Sequence, residues 1–319
     1  MSRRFQLSRE LVLLGLLALV VVVFSIASPN FLSVDNFFNV GRLSVERGLI
    51  ALGMTGVILT AGIDLSVGSL LSLVAVVIGF GFQDGIPLVL AILLGIAAGL
   101  AGGLFNALLI TRLGLSPLVV TLGTLSLYSG LALVLSSGGG VSAFPHWFNY
   151  FGQWYLGPVP MQLIFFAIVA GLAWIALART PFGRYVYAIG NNPQAARFSG
   201  VPVRRVTVIL YTSLGLLVAL AAIIYSSRVS SARGDAGLGL ELDVIAAVVL
   251  GGASIYGGVG SIPGTLLGVF LIAFVRNGLL LANVASTWAE FVVGLILILA
   301  VFVNEFFRAR TSPTGAVTA

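Results

Sequence analysis

The sequence predicts an all-helical, polytopic membrane protein with about ten membrane-spanning segments. Hydrophobic residues make up 59% of the chain and charged residues only 8%, and the mean hydropathy is +1.13. So few charged side chains cannot cover the surface of a soluble protein of 319 residues. The apolar runs are about 20 residues long and do not alternate with polar residues, which is typical of helices and not of a transmembrane barrel.

The apolar segments divide a single transmembrane domain, residues 1–319, into spans and loops. The first follows Arg3, Arg4 and Arg9 and is too long and too bulky for a cleaved signal sequence, so we expect it to be retained. Some of the later segments are short or interrupted by glycine. The ten predicted spans cover residues 11–28, 47–62, 66–82, 87–111, 115–136, 159–178, 206–227, 242–257, 261–282 and 288–306.

The arginines predict that both termini lie in the cytoplasm. All sixteen basic residues are arginine. With the N terminus inside, eleven of them fall on the inner side and four on the outer side, while Arg276 lies within a span. Basic residues favour the cytoplasmic side. This orientation makes residues 1–10, the loop 179–205 and a flexible tail at 307–319 cytoplasmic. The outer loop 137–158 agrees, because it is uncharged and rich in Trp and Tyr, which favour membrane interfaces.

The composition excludes several function classes. The chain has no cysteine and a single histidine, His146, so we expect neither a disulfide nor a metal site. Without lysine there is no phosphate-binding loop for ATP hydrolysis, and no pair of nucleophile and base is evident. The net charge of +6 suits loops beside an anionic membrane surface and does not indicate nucleic-acid binding.

The first glycine-broken stretch is Thr60–Ser69, which carries Asp64 and Ser66. Backbone groups freed at membrane depth must be satisfied by protein or water, so such breaks point to a transport path. A tight turn or a close helix crossing is the structural alternative. Asp64 either faces a polar path or caps the helix that starts near Ser66, and the capping role is favoured.

The second broken stretch, Gly251–Ser261, also ends in Val-Gly-Ser and contributes Ser254. Further polar side chains fall inside apolar spans, and Thr121, Thr124 and Tyr128 share one helical face. They either line a hydrophilic path or join helices through hydrogen bonds. The candidate path residues are Asp64, Ser66, Ser69, Asn106, Thr121, Thr124, Tyr128 and Ser254.

A short capped helix is predicted in the cytoplasmic loop. Asn192 is suited to the N-cap, Pro193 to the first helical position and Gly200 to the C-terminal end. Five arginines lie in or beside this helix, at 179, 184, 197, 204 and 205. A membrane protein that keeps a capped, basic helix presents it either to a partner protein or to anionic lipid.

Four motifs resemble those of one known family. They are Gly62–Ser69, Leu115–Thr124, Gly190–Gly200 and Ser231–Gly252, in this order. Together they look like the permease subunits of bacterial ABC importers for monosaccharides, a group that includes ribose, xylose, galactofuranose, rhamnose and autoinducer-2 systems. The likeness runs from about residue 40 to 306 and does not specify the substrate. It departs mildly in carrying Asn-Asn-Pro-Gln before Ala195 and in having Phe198.

The resemblance implies a set of partners. Two permease subunits, identical or paralogous, would form the pore, and a separate ABC ATPase would dock beneath and use ATP and Mg. A periplasmic or lipid-anchored sugar-binding protein would deliver the solute. The chain itself would be a multi-pass protein of the inner membrane, with neither enzymatic activity nor a cofactor of its own. The residues expected to couple it to the ATPase are Gly190, Asn191, Asn192, Pro193, Ala195, Ala196, Arg197, Phe198 and Gly200.

The outer arginines are candidates for docking the binding protein. They are Arg42, Arg47, Arg228 and Arg233. The alternative is that Arg228 and Arg233 pair internally with carboxylates such as Asp235, Glu241 or Asp243.

The competing function is a self-contained secondary transporter of a small polar solute. Such a carrier usually couples through ionisable residues in its spans, and only Asp64, Arg276 and Glu290 are available. A membrane scaffold without transport activity would not need two glycine-broken spans.

Overall fold

A computed structural model describes residues 3–142 and 144–285, together with positions 288, 291–292, 294–295 and 298. Within these residues the chain is almost entirely helical. The helices are α1 (Arg3–Ala27), α2 (Val34–Leu59), α3 (Val67–Gln83), α4 (Leu88–Arg112), α5 (Pro117–Ser136), α6 (His146–Gln153), α7 (Met161–Arg179), α8 (Pro181–Asn191), α9 (Pro193–Phe198), α10 (Val203–Val229), α11 (Leu240–Leu250) and α12 (Ile262–Leu281). Two-residue strands β1 (Gly140–Val141), β2 (Tyr155–Leu156), β3 (Val159–Pro160) and β4 (Ala232–Arg233) pair as β1–β4 and β2–β3.

Among the described residues, five helices are long and apolar enough to cross a membrane: α4, α5, α7, α10 and α12. The apolar parts of α1 and α3 are shorter. Seven predicted spans agree with these helices to within a few residues, apart from the earlier start of α1. Most of the predicted last span, 288–306, and all of the tail 307–319 lie outside the described residues.

Two predicted spans are wrong in their bounds. The segment predicted at 47–62 belongs to α2, which begins at Val34 because Ser33 caps it and accepts a hydrogen bond from the Asn36 backbone N–H. Arg42 and Arg47 therefore lie within a helix and not in an outer loop. The segment predicted at 242–257 is helical only in α11, since the glycines from Gly251 onward end the helix.

Helix α10 forms the centre of the bundle, where it packs against α4 and α2. The contact with α4 depends on glycines that let the two backbones approach. A Cβ added at Gly103 would lie 2.3 Å from the carbonyl oxygen of Tyr211, and one at Gly215 would lie 2.2 Å from that of Gly99. Small residues at such crossings permit close packing of membrane helices.

The segment between α10 and α11 packs along α3. Strand β4 pairs with β1, which joins residues 230–239 to the loop that follows α5. A Cβ at Gly237 would lie 2.0 Å from the Gly68 carbonyl oxygen, and Ser72 Oγ accepts a hydrogen bond from the Gly237 N–H. Gly79 lies on α3 about three turns after Gly68, and a Cβ added there would contact Ala232. The segment thus runs along α3 towards its N-terminal end, where α11 begins.

Candidate functional site

The loop between α7 and α10 folds as two short helices, and the predicted capping of α9 is confirmed. The Asn192 side chain accepts hydrogen bonds from the backbone N–H groups of Gln194 and Ala195, each at 3.0 Å. Pro193 occupies the first turn, and Gly200 has a φ of +82°, the left-handed conformation that ends the helix. Both ends of α9 are therefore fixed by local sequence.

The exposure of the α9 side chains shows which of the expected coupling residues a partner could contact. Ala196 is one of the residues expected to couple the chain to the ATPase, but only 5% of it is exposed because it packs into the core of its own chain. Phe198, by contrast, is 91% exposed. The other loop residues expected to couple the chain to an ATPase, Gly190 excepted, are exposed as well. A partner would thus meet an aromatic ring on a rigid, basic helix.

The two glycine-broken stretches meet beside the end of α8, where a Cβ added at Gly257 would lie 3.0 Å from both the Ala61 nitrogen and the Gly190 carbonyl oxygen. The Gly258 N–H donates to the carbonyl oxygen of Leu59 at 2.9 Å, which joins the second stretch to the last residue of α2. Gly190 lies directly against this bond: a Cβ there would be 1.9 Å from the Leu59 oxygen and 2.3 Å from the Gly258 nitrogen. We name Leu59, Gly190 and Gly258 the loop junction.

Tyr187 provides a second attachment between the loop and the broken stretch 251–261. Its hydroxyl donates to the carbonyl oxygen of Gly260 at 2.9 Å. Burial raises the pKa of the Tyr187 phenol, so the hydroxyl stays protonated and able to donate. Sequence reasoning missed this residue; the only signal was its position one turn before Asn191, whose side chain donates to the Tyr187 carbonyl.

The first broken stretch folds around the Asp64 carboxylate, which is buried. Its Oδ1 accepts from the Ser66 backbone N–H at 2.8 Å and from the Ser66 hydroxyl at 2.6 Å. Its Oδ2 accepts from Asn106 Nδ2 at 3.2 Å, and the same amide donates to Ser66 Oγ at 2.9 Å. The side chains of Asp64, Ser66 and Asn106 thus form one hydrogen-bonded cluster at the beginning of α3.

Most of the other candidate path residues surround this cluster. Thr121 donates to the Ile63 carbonyl oxygen, and Tyr128 donates to that of Gly102. Ser69 and Thr124 bond to backbone oxygens of their own helices or turns. All of these residues are buried within the chain. Ser254 is half-buried in the other broken stretch, where its hydroxyl accepts from the Tyr256 N–H.

Three of the four outer arginines form ion pairs with carboxylates of the same chain. Arg47 pairs with Asp243 at 2.9 Å, Arg228 with Glu46 at 2.6 Å and Arg233 with Asp235 at 2.8 Å. Arg228 lies in the last turn of α10 rather than in the following loop, and sequence reasoning did not identify Glu46 as its partner.

Arg233 lies in the exposed outer segment. Its side chain is 61% exposed, the most of the three paired arginines. Its guanidinium forms hydrogen bonds that hold the pKa of Asp235 below the ordinary value. Arg42 donates to Asn39 Oδ1 at 3.0 Å.

Comparison with known proteins gives a family for this arrangement. The family model described as "Branched-chain amino acid transport system / permease component" matches residues 36–301. The chain is 46% identical over 294 residues to the ribose import permease protein RbsC of Bacillus subtilis, covering 92% of this chain and 91% of that protein. It is 38% identical over 304 residues to the autoinducer 2 import system permease protein LsrD of Klebsiella pneumoniae, covering 93% and 92%.

The family and the two relatives differ in solute but agree in role. The family model names branched-chain amino acids, whereas the two relatives import ribose and autoinducer 2. Each of them is a permease component, and the matched residues include both broken stretches, the loop junction and the Asp64 cluster. The chain belongs to this family of transport-system permease components and is a multi-pass inner-membrane permease subunit of the sugar ABC importer type.

Proposed function

We propose that this chain is the permease subunit of an ATP-driven, binding-protein-dependent importer for a monosaccharide or a related small polyol such as autoinducer 2. The observation that carries the proposal is its 46% identity to a ribose import permease over 92% of the chain. A solute of this kind is neutral and rich in hydroxyl groups, which matches broken stretches that hold hydroxyl groups, with the Asn106 amide beside them and few charges.

The proposal extends to topology and partners. The chain crosses the membrane ten times with both termini in the cytoplasm, as the distribution of arginine favours. The exposed residues of the capped loop from Gly190 to Gly200 couple it to an ABC ATPase, and ATP and Mg are used only by that partner. A second permease subunit completes the pore, and the solute passes beside the two broken stretches.

Reconstitution into liposomes tests the importer function. We expect accumulation of a monosaccharide only when the ATPase, the binding protein and ATP are all present. Uptake driven by a proton or sodium gradient without ATP would instead assign the chain to secondary transporters. Because the solute is not identified, the assay uses labelled ribose and autoinducer 2 as probes, each with its own binding protein.

The exposed ring of Phe198 leads to a prediction about ATPase docking. We expect Phe198→Ala to weaken association with the ATPase, because burial of an apolar side chain of this size is worth about 1.5–3 kcal/mol. Pull-down titration of the purified subunits measures the effect. Folding should be unchanged, since the ring makes little contact with its own chain. Val229→Ala, which truncates another partly exposed apolar side chain outside the loop, is the control. Equal ATPase affinity in Phe198→Ala and wild type would place docking elsewhere.

A smaller effect is expected at the outer face. Arg233→Glu should slow association with the binding protein at low ionic strength, because complementary charges steer encounter and salt screens them. Stopped-flow association at two salt concentrations measures this rate. Asp235→Asn tests the internal alternative, since it frees Arg233 from its pair and should leave association unchanged or faster. A rate for Arg233→Glu equal to that of wild type at low salt would restrict this arginine to internal pairing.

A further inference from the structure

A cavity of about 200 Å³ between α2, α10, α11 and α12 is lined by three arginines, Arg47, Arg228 and Arg276. One carboxylate, Asp243, also lines it. Most of the remaining wall is aliphatic, including Leu43, and the cavity lies apart from the Asp64 cluster and the loop junction. Guanidinium groups on an apolar wall suit a ligand with one anionic and one apolar part.

The charges around this cavity do not balance. Asp243 is shared, because Arg47 Nε donates to its Oδ2 at 2.9 Å and Arg276 Nη2 to its Oδ1 at 2.5 Å. Arg228 is paired with Glu46, which lies behind the wall. Among the described residues, the ion pairs of these three arginines therefore end on only two carboxylates. A surplus positive charge on a largely apolar wall favours the binding of an anion.

Several donors of these arginines also remain free for a ligand. Arg47 and Arg228 reach their carboxylates through Nε, which leaves their terminal nitrogens able to donate to an anion. The Nε of Arg276 also has no hydrogen-bond partner among the described residues, but it is buried and out of reach of a ligand. The Arg47 side chain is 40% exposed and so stands where a ligand can reach it. Planar guanidinium groups bind phosphate with paired hydrogen bonds.

The aliphatic wall selects among sources of phosphate. Leu43 and Ile272 line the cavity, and Leu280 at its rim is 64% exposed. A free phosphate would gain nothing from these side chains, whereas an acyl chain would bury them. We propose that the cavity binds an anionic phospholipid, with its phosphate on Arg47 and Arg228 and an acyl chain along Leu43, Ile272 and Leu280. The proposal does not depend on which solute the chain transports.

The structure offers a suitable variant for the test. Arg47→Gln removes the surplus charge, while Asp243 keeps its bond to Arg276, so no carboxylate is left unpaired. Arg233→Gln is the matched control, because it removes an arginine whose carboxylate partner is exposed and which lies outside the cavity. Arg47→Lys restores the charge without the planar guanidinium group.

The experiment measures phosphatidylglycerol retained by the purified full chain, by native mass spectrometry and by the rise in melting temperature on adding the lipid. Wild type and Arg233→Gln should retain phosphatidylglycerol in preference to phosphatidylcholine. Arg47→Gln should bind it about five-fold more weakly, the factor expected for one basic charge beside a lipid headgroup. Arg47→Lys restores the charge but not the paired hydrogen bonds, so it should recover the binding only in part.

Other outcomes overturn the proposal. Equal retention by Arg47→Gln and wild type would show that the chain or water neutralises the surplus charge. Preference for phosphatidylcholine would remove the anionic requirement. A rise in melting temperature with millimolar inorganic phosphate equal to that with the lipid would assign the site to a free anion. Uptake assays do not enter this test, so its failure leaves the importer function untouched.

Discussion

Gly190→Ala is expected to separate ATP hydrolysis from uptake in the assembled importer. The added Cβ would lie 1.9 Å from the Leu59 carbonyl oxygen and 2.3 Å from the Gly258 nitrogen. Both are backbone atoms of one hydrogen bond, so neither can turn aside as a flexible side chain would. Overpacking of this kind costs about 1–3 kcal/mol. The strain falls where the cytoplasmic loop touches the second broken stretch and the end of α2. A cost of about 1.4 kcal/mol corresponds to a factor of ten, so we expect uptake per ATP hydrolysed to fall roughly ten-fold.

The measurement compares ATPase rate and solute uptake in the same proteoliposomes. Gly171→Ala is the control, because its Cβ would meet nothing within 4 Å. A second variant, Tyr187→Phe, removes only the hydroxyl that donates to Gly260 and should reduce uptake per ATP more mildly. Tyr185→Phe, on the same helix and 38% exposed, should have no effect. If Gly190→Ala couples as well as wild type, the loop junction does not transmit the motion of the ATPase.

Local chemistry explains why the capped loop could be predicted from the sequence. Asn192, Pro193 and Gly200 each determine a backbone conformation within a few residues of their own position, so α9 needed no tertiary information. The same holds for the turn at Asp64, whose carboxylate binds the backbone only two residues on. The apolar spans were visible for a similar reason, because their lengths follow from the thickness of the membrane.

Contacts between distant residues could not be predicted in this way. The bond from Gly258 to Leu59 and the pair of Arg228 with Glu46 join residues about 200 positions apart. The first turns of α2, before residue 47, were missed because Arg42 and Arg47 lower the hydropathy of this segment to that of a loop. Their charges are accommodated by Asn39 and Asp243, and this becomes apparent only when the helices are packed together.

Asp64→Asn is expected to fold and to support uptake, whereas Asp64→Ala is expected to lose folded protein. The asparagine keeps an oxygen that can accept from the Ser66 backbone N–H and hydroxyl. The alanine leaves these buried donors and the Asn106 amide without their acceptor, which costs about 1–3 kcal/mol. Melting temperature in detergent measures the loss of stability, and uptake with ATP and binding protein measures function. Thr111→Val, which removes a partly buried hydroxyl bonded within its own helix and outside the candidate path, is the control.

The two variants separate the two roles open to Asp64. If the carboxylate only shapes the turn before α3, its charge is dispensable, because every bond it accepts in this structure comes from Ser66 or Asn106. If it contacts the solute, the charge matters even when the fold does not change. Asp64→Asn that melts like wild type but fails to accumulate solute would therefore place the carboxylate on the transport path. Normal uptake by Asp64→Asn together with a lower melting temperature for Asp64→Ala would assign it to the turn, and the solute would then have to pass beside neighbouring hydroxyl groups without meeting this charge.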